Sequence, residues 1–143
     1  MQVQPAAVAT DELWALLMRF SFDHVLRHFV RVVAEFDLSP PQAHLLLHLS
    51  DGHGLSQRDH ARQLGCDPSN LTGLSDRLEA RGLIERRVDP EDRRVKMLVA
   101  TPKGEQLRAQ LAARLAEAPA AITQISARDR ALLHQLLRQI IGY

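Results

Sequence analysis

The chain has 143 residues, of which 45% are hydrophobic and 24% are charged, and its formal net charge is +1. This length and composition suit one globular domain with a substantial core and argue against a disordered chain. The small net charge excludes a uniformly basic nucleic-acid binder, so any positive surface has to be local. The single cysteine excludes an intrachain disulfide framework and a zinc site of the CxxC type.

The sequence also lacks the signals of several other protein classes. No apolar run approaches the roughly 20 residues that span a bilayer, and residues 1–10 lack the basic start and apolar core of a signal peptide. No motif of the GxSxG, HExxH or GxxxxGK[ST] type is present. We therefore expect a cytoplasmic protein that is not an enzyme, needs no cofactor and does not contact a membrane.

The first predicted elements are two helices. Residues 11–36 have apolar side chains at helical spacing and predict one long amphipathic helix. Its apolar positions are Trp14, Met18, Phe22, Val25, Phe29, Val32, Val33 and Phe36. Ser39-Pro40-Pro41-Gln42 then predicts an N-cap, prolines in the first turn and a capping glutamine, opening a helix that extends to about Leu49.

The next two predicted helices form a helix-turn-helix over about residues 56–81. Ser56 and Asp59 predict the cap of a short helix that packs Ala61 and Leu64 and ends at Gly65. Asp67-Pro68 caps and starts a second helix, which extends to about Ala80 and stops at Gly82. Two helices joined by a tight turn that contains glycine are typical of this motif.

The second of these helices has two different faces. A helical wheel groups the positions Leu71, Leu74, Ser75 and Leu78 on one side. The opposite side carries Ser69, Asn70, Thr72, Gly73, Asp76 and Arg77. An ordinary solvated face more often carries Glu and Lys pairs, so these short polar side chains favour a face that reads DNA.

Residues 84–101 predict a β-hairpin, the wing, with a six-residue connection that begins at Asp89-Pro90. Arg93 and Arg94 fall in this turn, where an arginine can enter the narrow minor groove of DNA. The alternative is a solvated turn whose charges contact nothing. We interpret Glu91 and Asp92 as internal partners of neighbouring arginines, with Asp92 pairing to Arg81 or Arg86.

The last part of the chain predicts helices from Thr101-Pro102 to about Glu117 and from the Ser126 cap to about Ile141. The final helix has an apolar band that is too wide for one neighbouring helix to cover. Its members are Leu132, Leu133, Leu136, Leu137, Ile140 and Ile141. With Leu13, Leu16 and Leu17 and the row Leu107, Leu111 and Leu115, this band predicts a dimer interface, although a purely intramolecular core is the alternative.

The expected fold is therefore mainly α, a winged helix-turn-helix with a two-stranded β wing. Its N- and C-terminal helices, about residues 11–36 and 102–142, would form the dimerisation region of a single domain over residues 1–143.

Three segments together resemble the MarR family of bacterial winged-helix transcription regulators: "LSPPQAHLLLHL", "LSQRDHARQLGCDPSNLTGLSDRLEARGLIERR" and "DPEDRRVKMLVATPKG". The resemblance implies a homodimer that binds a palindromic double-stranded DNA operator and is released by a small molecule, a metal ion or an oxidant. It places Ser69, Asn70, Thr72, Gly73 and Arg77 on recognition-helix positions. Arg93 matches the wing-tip arginine, and Arg86 and Arg94 are further candidate DNA contacts. Gly73 departs from many relatives, which carry a larger polar residue there.

The signal that would release the protein from DNA is open. His44 with His48, and His24 with His28, have the i,i+4 spacing that lets two imidazoles reach one ion, but a zinc site needs a further ligand. By resemblance, an effector pocket between the first helices and the winged-helix lobe would let His44 and His48 bind a carboxylate or phenol. Cys66, next to a helix N-terminus, is a weaker candidate for oxidant sensing.

A function of another class also stays open. A winged helix used only for protein contacts would have the same fold, because the fold alone does not guarantee DNA binding.

Overall fold

The computed structural model describes residues 8–49, 55–63, 65 and 67–142. The chain divides into two compact units, and each is described by itself: Met1–His28 with Glu117–Tyr143, and Phe29–Ala116. The single domain expected over residues 1–143 stays a prediction. No helix in the described part of the chain is long and apolar enough to cross a membrane.

The described elements follow the predicted order. The helices are α1 (Thr10–Phe20), α2 (Arg27–Glu35), α3 (Pro40–His48), α4 (Gln57–Gln63), α5 (Pro68–Ala80), α6 (Pro102–Leu115), α7 (Ala120–Thr123) and α8 (Ala127–Ile141). The strands are β1 (Leu55–Ser56), β2 (Ile84–Val88) and β3 (Lys96–Ala100). A π-helical segment, Ser21–Leu26, joins α1 to α2, so the long N-terminal helix is continuous but is not α-helical throughout.

The first unit exposes the apolar bands that the sequence predicts. Neither α1 nor α8 contains a buried residue. Trp14 is 63% exposed and Ile140 is 66% exposed. The cap of α8 is as predicted, since the Ser126 hydroxyl accepts a hydrogen bond from the Asp129 amide at 3.1 Å. The short α7 was not predicted.

The second unit begins its helices at the predicted caps. Ser39 and Gln42 form a reciprocal capping box, in which the Ser39 amide donates to Gln42 Oε1 at 2.8 Å and the Gln42 amide donates to Ser39 Oγ at 3.4 Å. The Ser56 hydroxyl accepts the Asp59 amide at 3.1 Å. These local hydrogen bonds satisfy N–H groups that a helix start leaves unpaired.

The sheet has three antiparallel strands in the order β1-β3-β2. In the predicted hairpin, Val88 pairs with Lys96 and Ile84 pairs with Ala100. The connection therefore comprises residues 89–95, one more than predicted. The two-residue β1 was missed because Ser56 is both the cap of α4 and a strand residue opposite Met97. It ties the start of α4 to the wing.

One hydrophobic core holds the second unit together. Leu45, Leu71, Leu78 and Leu98 are each at most 1% exposed and come from α3, α5 and β3. Leu111 of α6 is fully buried in the same core. Its predicted place in a dimer interface is therefore wrong, because the side chain is already covered within its own unit.

Candidate nucleic-acid interface

Helix α5 packs against the hydrophobic core through the face that the sequence predicts. Leu71, Leu74, Ser75 and Leu78 are its buried residues. Ser75 is accommodated because its hydroxyl donates to the Leu71 carbonyl at 2.8 Å within the same helix. The opposite face is exposed and carries Ser69, Asn70, Thr72, Gly73, Asp76 and Arg77.

Some polar side chains on the exposed face of α5 form local hydrogen bonds, and others form none. Ser69 Oγ donates to Asp67 Oδ1 at 2.8 Å, and Thr72 Oγ1 donates to the Pro68 carbonyl at 3.0 Å. Hydrogen bonds from the Ser69 amide and hydroxyl lower the pKa of the Asp67 carboxyl and keep this N-cap ionised. Asn70 and Arg77, by contrast, make no side-chain hydrogen bond with the described residues. These two side chains therefore keep their full donor capacity for an external ligand.

Gly73 lies on this face with open space above it. Apart from the backbone of its own helix and its chain neighbours, a Cβ atom built there would meet no atom within 4 Å. The fold of the protein therefore does not require glycine, although a glycine inside a helix costs about 1 kcal/mol relative to alanine.

Acidic side chains hold the tip of the wing in its turn conformation by accepting backbone N–H groups. Asp89 Oδ1 accepts the Glu91 amide at 2.8 Å, and Asp92 Oδ1 accepts the Arg94 amide at 2.9 Å. These are Asx turns, in which a short carboxylate replaces a backbone acceptor. The predicted pairing of Asp92 with Arg81 or Arg86 is wrong, because that carboxylate accepts a backbone N–H of its own turn instead.

Arg86 joins the wing to α5 instead of extending from the surface. Its guanidinium forms ion pairs with Asp76, at 2.5 Å, and with Glu79. The Arg86 side chain is only 19% exposed. Arg81 also points inward, donating to the backbone carbonyls of Asp37 and Phe36 at 2.6 and 3.0 Å. Arg86 therefore holds the wing against α5, and Arg81 holds the end of α5 against the residues that follow α2.

The charged side chains of residues 56–96 divide into paired and unpaired groups. Residues 56–96 contain nine Lys and Arg against eight Asp and Glu. Four of the arginines have partners within the chain: Arg62, Arg81, Arg86 and Arg87. The side chains of the other five cations have neither a hydrogen bond nor an ion pair to a described residue, and all five are exposed on α4, α5 or the wing: Arg58, Arg77, Arg93, Arg94 and Lys96. The numbers of positive and negative side chains are nearly equal, but pairing within the chain leaves a group of unpaired cations on the surface. Arg58 and Lys96 were not singled out from the sequence, where nothing distinguishes them from paired arginines.

The histidines show local contacts. His44 and His48 are exposed on α3, where His48 Nδ1 lies 2.8 Å from the His44 carbonyl oxygen and the His44 ring lies 4.8 Å from the Phe29 ring. The ring centroids of His24 and Phe20 lie 5.1 Å apart, and the two rings are tilted by 32°. In the described part of the chain, no group of three or more His, Cys, Asp or Glu residues could hold a metal ion. Cys66 lies outside the described residues.

His60 is the one histidine that is fully buried among those described. Neither of its ring nitrogens has a hydrogen-bond partner among the described residues. Burial, with a smaller contribution from His48, lowers the pKa of this imidazole, and Asp59 opposes the shift only in part. His60 is therefore neutral in the folded unit near pH 7, a property that the sequence did not indicate.

Comparison with known proteins identifies similar chains. A model of the MarR family matches residues 38–96. The chain is 33% identical over 96 residues to the uncharacterized HTH-type transcriptional regulator YfiV of Bacillus subtilis (strain 168). This alignment covers 67% of the present chain and spans 59% of that relative's length.

Solved structures are similar over nearly the whole chain. CouR from Rhodococcus jostii RHA1, bound to p-coumaroyl-CoA, is 30% identical, with a TM-score of 0.67, and the match covers 94% of this chain and 95% of CouR. A mutant of MepR from S. aureus, bound to an oligodeoxyribonucleotide, is 25% identical, with a TM-score of 0.66 and coverage of 90% and 96%.

Proposed function

Since the chain belongs to the MarR family of transcription regulators, we propose that it is a homodimeric, sequence-specific DNA-binding protein acting in the cytoplasm. Helix α5 would enter the major groove and the wing tip would reach the adjacent minor groove. The observation that carries this proposal is the charge distribution. Among the nine cations of residues 56–96, five have side chains with no partner in the described chain, and all five are exposed on α4, α5 or the wing.

The residues of α5 have the chemistry that base recognition needs. Asn70 can form two hydrogen bonds with adenine, and Arg77 is long enough to reach a guanine edge or a phosphate. Ser69 and Thr72 would accept hydrogen bonds from bases or contact the DNA backbone, and Gly73 leaves room for DNA to approach the helix closely. This proposal rests on exposure and unused hydrogen-bonding capacity.

The structure supports different roles for the wing arginines. Arg93 and Arg94 are exposed at the tip, where contact with DNA would neutralise phosphate charge. Arg86, predicted from the sequence as a DNA contact, is instead proposed as a positioning residue, because Asp76 and Glu79 already occupy its guanidinium.

A second copy of the chain would cover the exposed apolar bands of α1 and α8. Single soluble chains rarely leave such continuous bands in water. A two-fold dimer would present two α5 helices about 34–36 Å apart, matching a palindromic operator. Light scattering should give a dimer at micromolar concentration, and Leu136→Glu should weaken it whereas Gln139→Glu, on the same helix, should not. A wild-type monomer would contradict this part.

We further propose that the protein is a repressor that a small molecule releases from its operator. CouR was solved with p-coumaroyl-CoA bound, which supports an organic ligand for this chain. His44, His48 and the neighbouring Phe29 offer polar and aromatic contacts for a carboxylate or phenol. Release by a metal ion or through Cys66 is the alternative. Zinc and a salicylate-type compound, added separately to the DNA complex, distinguish these signals.

DNA binding is tested with the DNA that flanks the gene of the protein. We expect a gel shift that survives nonspecific competitor, and Asn70→Ala should weaken binding to that site by about 1 to 3 kcal/mol while barely affecting random DNA. Equal losses on both duplexes would limit Asn70 to a backbone contact. No shift with any flanking duplex would favour the rival function, a winged helix that binds only proteins.

The wing is tested by the salt dependence of binding. Arg93→Ala should flatten the slope of log K against log salt by about 0.9 for each phosphate charge it neutralises, hence up to roughly 2 for a dimer. Arg87→Ala is the matched control, because Arg87 is also in the wing but its Nε donates to Glu85 at 2.7 Å. An unchanged slope and affinity for Arg93→Ala would mean that the wing tip is only a solvated turn.

A further inference from the structure

A cleft of about 370 Å³ lies where the start of α4 runs beside the first residues of β3. It exists because β1 pairs with β3 in antiparallel register, with Ser56 opposite Met97. The chain therefore leaves β1 along the side of the wing. The cleft is lined by Ser56, Gln57, Arg58, Arg94, Val95 and Lys96. Of these, Arg94 is proposed above as a DNA contact, whereas Arg58 and Lys96 are counted there among the unpaired cations without an assigned contact.

The lining is strongly positive. Arg58, Arg94 and Lys96 are half of its six residues, and no acidic residue is among them. None of these three side chains forms an ion pair with a described residue. The acids nearest in the chain are directed elsewhere: Asp59 pairs with Arg62 at 3.5 Å, and Asp92 Oδ1 accepts from the Arg94 amide at 2.9 Å. Like charges converging without an internal counter-ion are unfavourable unless an anion joins them.

Gln57 provides a second and independent indication. Its Nε2 atom is buried and has no hydrogen-bond partner among the described residues. A buried amide N–H group that lacks an acceptor is rare, because it loses water without gaining a replacement. Gln57 lines the cleft, so a turn of its side chain toward an oxygen acceptor there would satisfy this N–H group. The Ser56 hydroxyl already donates to Asp59, so it has no proton left to donate to an anion in the cleft.

We propose that this cleft binds a phosphate-type oxyanion. Two guanidinium groups and an ammonium group match the charge and the several acceptor oxygens of phosphate, and arginine can donate two parallel hydrogen bonds to it. The anion has two sources, a backbone phosphate of DNA or a free phosphate group. The first rests on the proposed DNA-binding function, because the cleft adjoins the wing. The second does not depend on it.

The experiment compares wild type with the double variant Arg58→Gln/Lys96→Gln. Arg62→Gln is the control, since Arg62 is an exposed arginine of the same helix that pairs with Asp59 at 3.5 Å and does not line the cleft. In the first arm, calorimetric titration with sodium phosphate is performed against sodium chloride at equal ionic strength. We expect the wild type and the control to bind phosphate, and the double variant to bind it at least tenfold more weakly.

The second arm measures the salt dependence of binding to a random duplex. Loss of the cleft contact should reduce the slope of log K against log salt by about 0.9 per subunit for each phosphate released, and Arg62→Gln should change it less. A change in this arm, with or without the first, identifies the DNA backbone as a ligand. A change in the first arm alone identifies free phosphate. Two unchanged arms overturn the proposal.

A further variant separates folding from binding. Gln57→Glu places a carboxylate beside the three cations, where it competes with an external anion, so it should weaken phosphate binding at least tenfold while circular dichroism still shows a folded protein. A Gln57→Glu protein that binds phosphate like wild type would also overturn the proposal. If the wild type binds phosphate but shifts no DNA, the proposed function fails and the oxyanion site stands.

Discussion

Replacing Gly104 by alanine tests how closely α6 is held against the start of the wing. A Cβ atom on Gly104 would lie 1.8 Å from the Leu83 carbonyl oxygen and 2.9 Å from its carbonyl carbon. Both are backbone atoms, so no side-chain rotation relieves the contact. To reach even about 3 Å from that oxygen, the two segments have to separate by roughly 1 Å, which protein interiors resist.

The magnitude follows from the contacts that this movement breaks. The Thr101 amide donates to the Leu83 carbonyl at 3.0 Å, and Thr101 Oγ1 donates to the Gly82 carbonyl at 2.6 Å. Losing two hydrogen bonds costs about 2 kcal/mol, and overpacking adds about 1 to 3. The better helix propensity of alanine returns about 1 kcal/mol. We therefore expect Gly104→Ala to lower the free energy of unfolding by about 2 to 4 kcal/mol.

Urea unfolding followed by circular dichroism measures this difference. Gly73→Ala is the matched control, because it is the same substitution inside a helix, with no atom within 4 Å of the new Cβ. It should raise the free energy of unfolding by up to about 1 kcal/mol. If the new methyl group blocks close approach of DNA, the same variant should bind its operator more weakly. A Gly104→Ala protein with the unfolding midpoint and m-value of wild type would refute the reasoning.

Three further outcomes are expected. Folding lowers the pKa of His60, so on acidification the unfolded chain binds this proton before the folded chain does. The free energy of unfolding therefore falls as the pH drops below about 6.5, the ordinary pKa of histidine, and His60 has no such effect at higher pH. His60→Leu should therefore lose less stability than wild type between pH 7.5 and 5.5 in urea unfolding, and an equal loss would contradict this explanation. Asp92→Ala should lower operator affinity, because it removes the hydrogen bond that holds the turn. Glu91→Ala removes the same charge but no such hydrogen bond, so it should raise operator affinity. Equal effects of the two variants in gel shifts would mean that charge alone matters. Arg86→Gln should lower both the free energy of unfolding and DNA affinity, and a loss of affinity at unchanged stability would restore Arg86 as a direct contact.

Local patterns in the sequence predicted most of the winged-helix unit. The reciprocal bonds of Ser39 and Gln42 depend on residues three apart, and the buried face of α5 depends on helical periodicity alone. The strands of the wing followed from β-branched residues on either side of Asp89-Pro90. Each of these features is decided within about a dozen residues, where propensity and spacing are informative.

Features that depend on distant segments were predicted less well. Arg86 pairs with Asp76 and Glu79 because β2 packs beside α5, and spacing along the chain does not select those acids over Asp92. The strand pairing of Ser56 with Met97 joins residues that are far apart in sequence. The unpaired cations Arg58 and Lys96 became apparent only after the other arginines had been assigned their partners.

The π-helical segment Ser21–Leu26 affects how this chain is aligned with related sequences. Such a turn contains one residue more than an α-helical turn of the same length along the axis. Residues before it are therefore about 100° out of phase with an uninterrupted α-helix. A relative with a regular helix here would align correctly only with a one-residue gap between positions 21 and 26. An ungapped alignment would match Trp14 and Met18 to residues on a different helical face, so substitution patterns on α1 should be compared only after that gap is introduced.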